Sequence, residues 1–235
     1  MASRREQKEA LRREREEREQ QANAAQARKR LVGYGVAGAL VLGAAVVAVV
    51  LLAGGNGAGA SSAVLPDGGS VPKQSEFDLT AAARAAGCEL RAVKANGVAD
   101  HTQDPKERVK YDSNPPTNGR HFIVPADDGE YSTAPTDEQL VHNLEHGRVI
   151  IWFKPSLPKD ERADLNALFN EDTYQMLLVP RRNMPYQVAA SAWNAEPAPS
   201  GVGRLLTCDR TSDGMWDALR TFRDEHRSNG PEPIP

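Results

Sequence analysis

One long run of apolar and small residues constrains this chain more than any other feature. Residues 31–53 read LVGYGVAGALVLGAAVVAVVLLA and carry no charge. At about 1.5 Å of rise per residue, a helix of this length crosses a hydrocarbon core of roughly 30 Å. Helices in soluble cores rarely run so far without a polar stripe. We therefore predict a transmembrane helix over residues 31–53.

Charge is segregated between the two sides of this run. Residues 1–30 hold 10 Lys and Arg against 6 Asp and Glu, whereas residues 54–235 hold 19 against 26. The basic triplet at residues 28–30 abuts the run, and the next basic residue is Lys73. The positive-inside rule predicts that residues 1–30 form a cytoplasmic charged segment and that the rest lies outside the cell membrane. This distribution is typical of an anchored protein and argues against a nucleic-acid partner.

A cleaved signal peptide is the competing interpretation of the same run. Residues 58–60 (AGA) resemble a cleavage site. The apolar region of a signal peptide spans only about 7–15 residues, however, and this run is much longer. We favour an uncleaved anchor.

The predicted helix carries small residues at a regular spacing. Gly35, Ala39 and Gly43 recur every four residues and so share one helix face. Small residues at this spacing let two helices approach closely, which would allow a weak homodimer. Such residues are common in transmembrane helices, so the spacing alone does not establish an interface.

The chain beyond the run divides into a linker and a domain. Residues 54–77 are rich in Gly, Ser, Ala and Pro, which predicts a flexible linker. Residues 78–235 are long enough to bury a core and are predicted to form the outer domain. Interleaved helical and strand-like patterns predict an α+β or α/β fold, a mixed sheet with flanking helices. The predicted helices cover residues 79–86, 136–146 and 158–170 and a last helix capped by Asp213; the predicted strands cover residues 90–93, 149–153, 176–179 and 186–193.

The chain has two cysteines, Cys88 and Cys208, and both fall on the predicted outer side. Oxidising conditions there favour a disulfide between them. A catalytic thiol is the alternative, but Cys88 follows the end of a predicted helix, where no helix N-terminus would activate it. We favour the disulfide.

Histidines carry the chemistry that the sequence offers. His142 and His146 are four residues apart in VHNLEHG, a spacing that puts both rings on one helix face, as a single metal ion needs. His121 follows the turn PPTNG and is the third candidate ligand, with His101 and Met184 as further candidates. Methionine among the ligands would favour copper, and a carboxylate with water would favour zinc.

An enzyme is a weaker interpretation of the same string. His142, Glu145 and His146 form His-x-x-Glu-His, the pattern in which two histidines bind zinc and the glutamate acts as general base. A metallohydrolase of this kind needs a further ligand downstream, for which Glu225 is a candidate. One five-residue match is limited evidence, so we expect that the protein is not an enzyme.

The histidines also have a purely structural interpretation. A histidine beside Gly147 can bond the last carbonyls of the helix, and His142 can be a core histidine that is hydrogen-bonded to the backbone or to Glu145. The domain would then be a non-enzymatic interaction module with an envelope protein as its partner. His226, near the tail, is predicted to be solvated.

Several strings of the domain occur together in a known order. They are Tyr111, Pro115-Pro116-Thr117, Gly119 and His121, then Leu140-Val141-His142, Leu144-Glu145-His146-Gly147, Ala192-Trp193 and Gly230-Pro231-Glu232. Over roughly residues 75–235 the chain resembles the domain of unknown function 3105, an outer domain of single-pass bacterial membrane proteins. The resemblance implies the same topology and the pairing of the two cysteines. It implies no established activity and no catalytic residue.

Overall fold

The computed structural model describes residues 65–232. The predictions for the cytoplasmic segment (1–30), the transmembrane helix (31–53) and its small-residue face lie outside the described residues. Within residues 65–232, no helix is both long enough and apolar enough to cross a membrane.

The described residues form an α+β domain with a mixed sheet, as the sequence predicts. Its helices are α1 (Leu79–Ala86), α2 (Asp137–Glu145), α3 (Lys159–Glu171) and α4 (Asp213–His226). Its strands are β1 (Glu89–Lys94), β2 (His101–Thr102), β3 (His121–Phe122), β4 (Gly129–Glu130), β5 (Val149–Phe153), β6 (Met176–Pro180), β7 (Val188–Asn194) and β8 (Val202–Cys208).

Six of these strands form the main sheet, in the order β1-β8-β7-β5-β6-β4. The pairs from β1 to β5 are antiparallel, and β6 runs parallel to both β5 and β4. Every residue of β5 is buried, which fits a strand whose two faces are both covered. The remaining strands, β2 and β3, form a separate parallel pair.

Each face of the sheet packs against its own hydrophobic cluster. On one face, side chains of α1, α3 and α4 pack together around buried residues such as Phe153 and Phe222. On the other face, α2 supplies Leu140 and Leu144 to a cluster that includes Trp152 and Trp193. Helix α2 is thereby fixed against the sheet through its apolar side.

Local signals explain where the helices begin and end. The side chain of Asp78 accepts a hydrogen bond from the Ala81 amide, and Gly87 ends α1 with a positive φ of 68°. Thr136 and Gln139 form a reciprocal capping box at the start of α2. The sequence predicts that Asp213 caps α4, but Asp213 is the first residue of the helix. Ser212 occupies the cap position and makes no side-chain cap hydrogen bond.

The disulfide between Cys88 and Cys208 is present. It joins the residue that follows α1 by two positions to the last residue of β8, next to the pairing of β1 with β8. The cysteine prediction is therefore confirmed in the structure.

Residues 65–77, which the sequence assigns to the linker, contact the domain. Leu65 and Val71 pack against the cluster under α1, α3 and α4. The carboxylate of Asp217 accepts hydrogen bonds from the Ser75 amide (3.1 Å), the Ser75 hydroxyl (2.8 Å) and the Glu76 amide (3.0 Å). The amino-acid composition of the linker could not predict this attachment, because it depends on the buried carboxylate of Asp217, which lies on α4, far along the chain.

Candidate metal centre

Two very short strands bring the first two histidines together. His101 of β2 lies opposite His121 of β3 in the parallel pair, and their ring centroids are 4.5 Å apart. Helix α2 packs against β3 and adds His142, whose centroid lies 4.8 Å from that of His101 and 4.9 Å from that of His121. Three imidazoles from separate parts of the chain thus meet at one point.

Glu145 completes this group from the last turn of α2. Its Oε2 atom lies 2.9 Å from Nε2 of His121 and 3.5 Å from Nε2 of His101. Its Oε1 atom accepts a hydrogen bond of 2.6 Å from the Ala99 amide, and the side chain is fully buried. We call His101, His121, His142 and Glu145 the histidine cluster; each offers a ligand atom within 4.8 Å of the others.

Backbone carbonyls orient two of the three rings. Nδ1 of His121 donates to the Gly119 carbonyl, and Nδ1 of His142 donates to the Phe122 carbonyl, each at 2.7 Å. Because a carbonyl oxygen can only accept, each Nδ1 carries a proton, and the neutral form of each ring then has its electron pair on Nε2. Metal-binding histidines are held in this way by their second nitrogen.

Three buried atoms of the cluster have no hydrogen-bond partner: Nε2 of His101, Nε2 of His121 and Oε2 of Glu145. The 2.9 Å contact between Nε2 of His121 and Oε2 of Glu145 does not have hydrogen-bond geometry and so satisfies neither atom. Buried polar atoms are normally paired, and unpaired ones are costly. A cation between them would satisfy all three.

The charge state of the cluster is suited to a cation. Burial raises the pKa of Glu145, but neighbouring His121 and the Ala99 amide outweigh that effect and hold the pKa below its usual value. Burial lowers the pKa of His142 despite its bond to the Phe122 carbonyl. At neutral pH the cluster therefore offers a charged carboxylate and a neutral ring at His142.

His146 adjoins the cluster without belonging to it. Its Nε2 atom lies 2.9 Å from Nε2 of His142, and the two ring centroids are 4.3 Å apart. Because Nδ1 of His142 already donates to Phe122, His146 is the donor in this contact. Burial, followed by proximity to His142, lowers the pKa of His146 to about 4. The helical spacing thus predicted correctly that the two rings share a face.

The C-terminal segment crosses the end of α2 beside His146. The Ser228 amide donates to the Gly147 carbonyl (2.8 Å), and the Glu232 amide donates to the Glu145 carbonyl (3.1 Å). Oε2 of Glu232 lies 3.8 Å from Nε2 of His146. Nothing in the sequence indicated this contact, since no local pattern encodes it.

Other residues singled out in the sequence lie elsewhere. Met184 is 3% exposed and packs in the hydrophobic cluster on the α2 side of the sheet. Glu225 lies on α4, with its carboxylate 4.0 Å from Nε2 of His226. The prediction that His226 is solvated is wrong, because its ring is 5% exposed and packs edge-on against Phe222.

Three imidazole nitrogens and one carboxylate have the composition of a transition-metal site. Zinc is bound tetrahedrally by such nitrogen and oxygen ligands, and imidazole also suits copper(II). The two cysteines are joined to each other and supply no thiolate. The group as it stands could hold a metal ion through nitrogen and oxygen ligands, without sulfur.

Comparison with known proteins places the domain in a family. No curated protein and no solved structure matches the chain. Residues 101–234, more than half of the chain, match the family described as Protein of unknown function (DUF3105). The matched segment begins at His101, so it contains the whole histidine cluster, His146 and Glu232. It is shorter than residues 75–235, over which the motifs suggest the resemblance. On this match, the chain belongs to the DUF3105 family.

Proposed function

We propose that this protein is a membrane-anchored metal-binding protein whose outer domain holds a zinc or copper(II) ion. The ligands are Nε2 of His101, His121 and His142 and a carboxylate oxygen of Glu145. The observation that carries the proposal is the convergence of these four groups with three buried atoms left unpartnered.

The arrangement of the proton donors supports this assignment over a purely structural role. A structural histidine uses its nitrogens in hydrogen bonds within the fold. His121 satisfies Nδ1 with the Gly119 carbonyl and leaves Nε2 in the cluster without a partner. His142 satisfies Nδ1 in the same way, and its Nε2 is bonded to His146, a contact that an ion would replace. The cost of leaving Nε2 of His121 and Oε2 of Glu145 buried and unpaired is recovered if an ion binds.

The position of Glu145 favours a ligand over a general base. Its carboxylate is fully buried, and Oε1 is held by the Ala99 amide. A general base must reach a water or substrate proton within hydrogen-bond distance. A carboxylate enclosed by two histidines and a backbone amide is instead placed to bind a metal. Metal binding without hydrolysis is therefore the function that we propose.

An extracytoplasmic location is the second part of the proposal. It rests on the uncharged run at residues 31–53, the basic triplet at residues 28–30 and the disulfide, a bond that persists in oxidising compartments. A reporter that is active only outside the cytoplasm, fused after residue 235, would test it. Activity of that reporter is the expected result, and activity of a cytoplasm-specific reporter at the same position would contradict it.

Metal content is the direct test of the ligand assignment. The full chain is purified in detergent without a histidine tag, incubated with zinc or copper(II), passed over a desalting column and assayed by elemental analysis. We expect at least one equivalent in the wild type and its loss in His142→Gln, because the variant removes a ligand nitrogen from the centre of the cluster.

His226→Gln is the matched control, since it changes a second buried histidine that lies outside the cluster. It is expected to keep the metal. A folded wild type that retains neither metal would refute the proposal and leave the structural interpretation with an envelope partner. Equal losses in both variants would show that disturbed folding, and not a lost ligand, explains the result.

A further inference from the structure

The residues around the histidine cluster outnumber the ligands that one ion takes. A tetrahedral zinc ion is satisfied by four protein ligands, and the histidine cluster already offers four. His146 and Glu232 remain beside it. Together with Glu145 they form a second group whose ligand atoms also lie within 4.8 Å of one another. We call Glu145, His146 and Glu232 the tail subsite.

The tail subsite is coupled to the cluster through one hydrogen bond. Nε2 of His146 donates to Nε2 of His142 across 2.9 Å, using the electron pair that a metal ion in the cluster requires. An ion bound to His142 therefore breaks this bond. The proton of the neutral His146 ring can then reside on Nδ1, which leaves an electron pair on Nε2, 3.8 Å from the Glu232 carboxylate.

Main-chain contacts hold Glu232 beside His146. The Glu232 amide is bonded to the Glu145 carbonyl. Gly230 lies so close to α2 that a Cβ atom there would be 2.3 Å from the Glu145 carbonyl oxygen. The C-terminal segment is therefore in direct contact with the end of α2. The Glu232 side chain is 48% exposed, so the subsite opens to solvent whereas the cluster is buried.

We propose that Glu145, His146 and Glu232 bind a second metal ion next to the first, with the Glu145 carboxylate shared between the two. This inference rests on the proposed function, because the first ion is what releases His146. Each oxygen of Glu145 has two electron pairs, so Oε1 can keep its bond to the Ala99 amide while Oε2 binds metal. Paired ions of this kind lie about 3.5–4 Å apart.

The test compares metal stoichiometry in the untagged full chain and two matched variants. Glu232→Gln removes a subsite carboxylate while keeping the backbone bonds of the tail. Glu225→Gln removes a carboxylate that is 58% exposed and lies on α4 outside both groups. After loading with copper(II) chloride, we expect two equivalents in the wild type and in Glu225→Gln and one in Glu232→Gln.

Electron paramagnetic resonance supplies a second, independent measurement. Two copper(II) ions about 3.5–4 Å apart are magnetically coupled, so the wild-type signal should account for less than the copper present. Glu232→Gln should give the full signal of one isolated ion. A wild type that saturates at one equivalent, or a Glu232→Gln variant that keeps two, overturns the second site alone. A wild type that binds none overturns the proposed function as well.

Discussion

Removal of the disulfide is expected to cost this domain a large part of its stability. The bond joins residues 120 positions apart, and closing a loop of that length restricts the unfolded chain. In the chain-entropy model this restriction amounts to about 5 kcal/mol at 25 °C. Domains of ordinary size have a total free energy of unfolding of only about 5–15 kcal/mol. The variant Cys88→Ala/Cys208→Ala should therefore be close to its unfolding threshold.

Replacing the two cysteines with alanine also changes the packing of the native state around the two sulfur atoms. Cys208 is fully buried and Cys88 is 9% exposed, and both belong to the cluster under α1, α3 and α4. Replacing them with alanine removes buried atoms without filling the space, which destabilises the native state further. The loss of stability should therefore be at least as large as the loop term.

Urea unfolding monitored by tryptophan fluorescence measures the difference, because Trp152 and Trp193 are fully buried and report on the core. The titrations are run with a chelator so that metal binding does not contribute. Wild type with a thiol reductant is the matched control and should lose nearly as much stability as the double variant. A decrease of less than about 2 kcal/mol in the free energy of unfolding, in both the double variant and the reduced wild type, would refute the reasoning. It would mean that breaking the disulfide gives the unfolded chain little additional conformational freedom.

Two further outcomes follow from buried groups and close contacts. Burial and the nearby charge of Arg204 lower the pKa of His226 to about 4, so between that value and its usual value near 6.5 the unfolded chain binds a proton that the folded domain excludes. The contribution of His226 to stability should therefore fall by up to ~3 kcal/mol as the pH drops through this window, in addition to the contribution of His146, whose pKa is also about 4; urea midpoints should show a weaker fall in His226→Gln, and an unchanged fall would contradict the assignment. Gly230→Ala should displace the tail because its Cβ would meet the Glu145 carbonyl and the Gly147 amide at 2.3 Å. We expect faster proteolysis of the tail and one metal equivalent in that variant, and a tail as protected as in the wild type would show that the contact can relax.

Elements with strong local signals were predictable from the sequence. Helix α2 begins at the Thr136 capping box and ends before Gly147, whose φ is 81°. Strand β5 is an unbroken apolar run of β-branched and aromatic residues. These patterns depend on neighbours within a few positions, so no knowledge of the remaining fold was needed.

Strand β8 was missed because its pattern is interrupted. Gly203 and Arg204 separate Val202 from Leu205 and Leu206, and glycine lowers the strand propensity. The structure gives the reason for this glycine: a Cβ atom there would lie 2.3 Å from the Thr117 hydroxyl oxygen. The close approach comes from a loop far away in the chain, so the sequence of the strand alone could not disclose it.

The candidate site shows the same division between local and distant information. The helical spacing of His142 and His146 put their rings on one face, and the turn before His121 marked that residue as a third candidate ligand. His101 meets them only because β2 pairs with β3, a pairing of two residues on each side. Glu232 reaches His146 only because the tail folds back onto α2. Neither contact produces a periodic pattern in the amino-acid sequence, so neither could be predicted from it.

The path of the C-terminal segment has a practical consequence for work with this protein. Glu232 is bonded through its backbone to the end of α2, and Pro235 follows three positions later. A polyhistidine affinity tag attached after Pro235 would therefore start shortly after Glu232, whose carboxylate lies 3.8 Å from Nε2 of His146, and the tag would itself bind added metal. Purification handles and fluorescent fusions belong at the other end of the chain, where they leave this ligand set undisturbed.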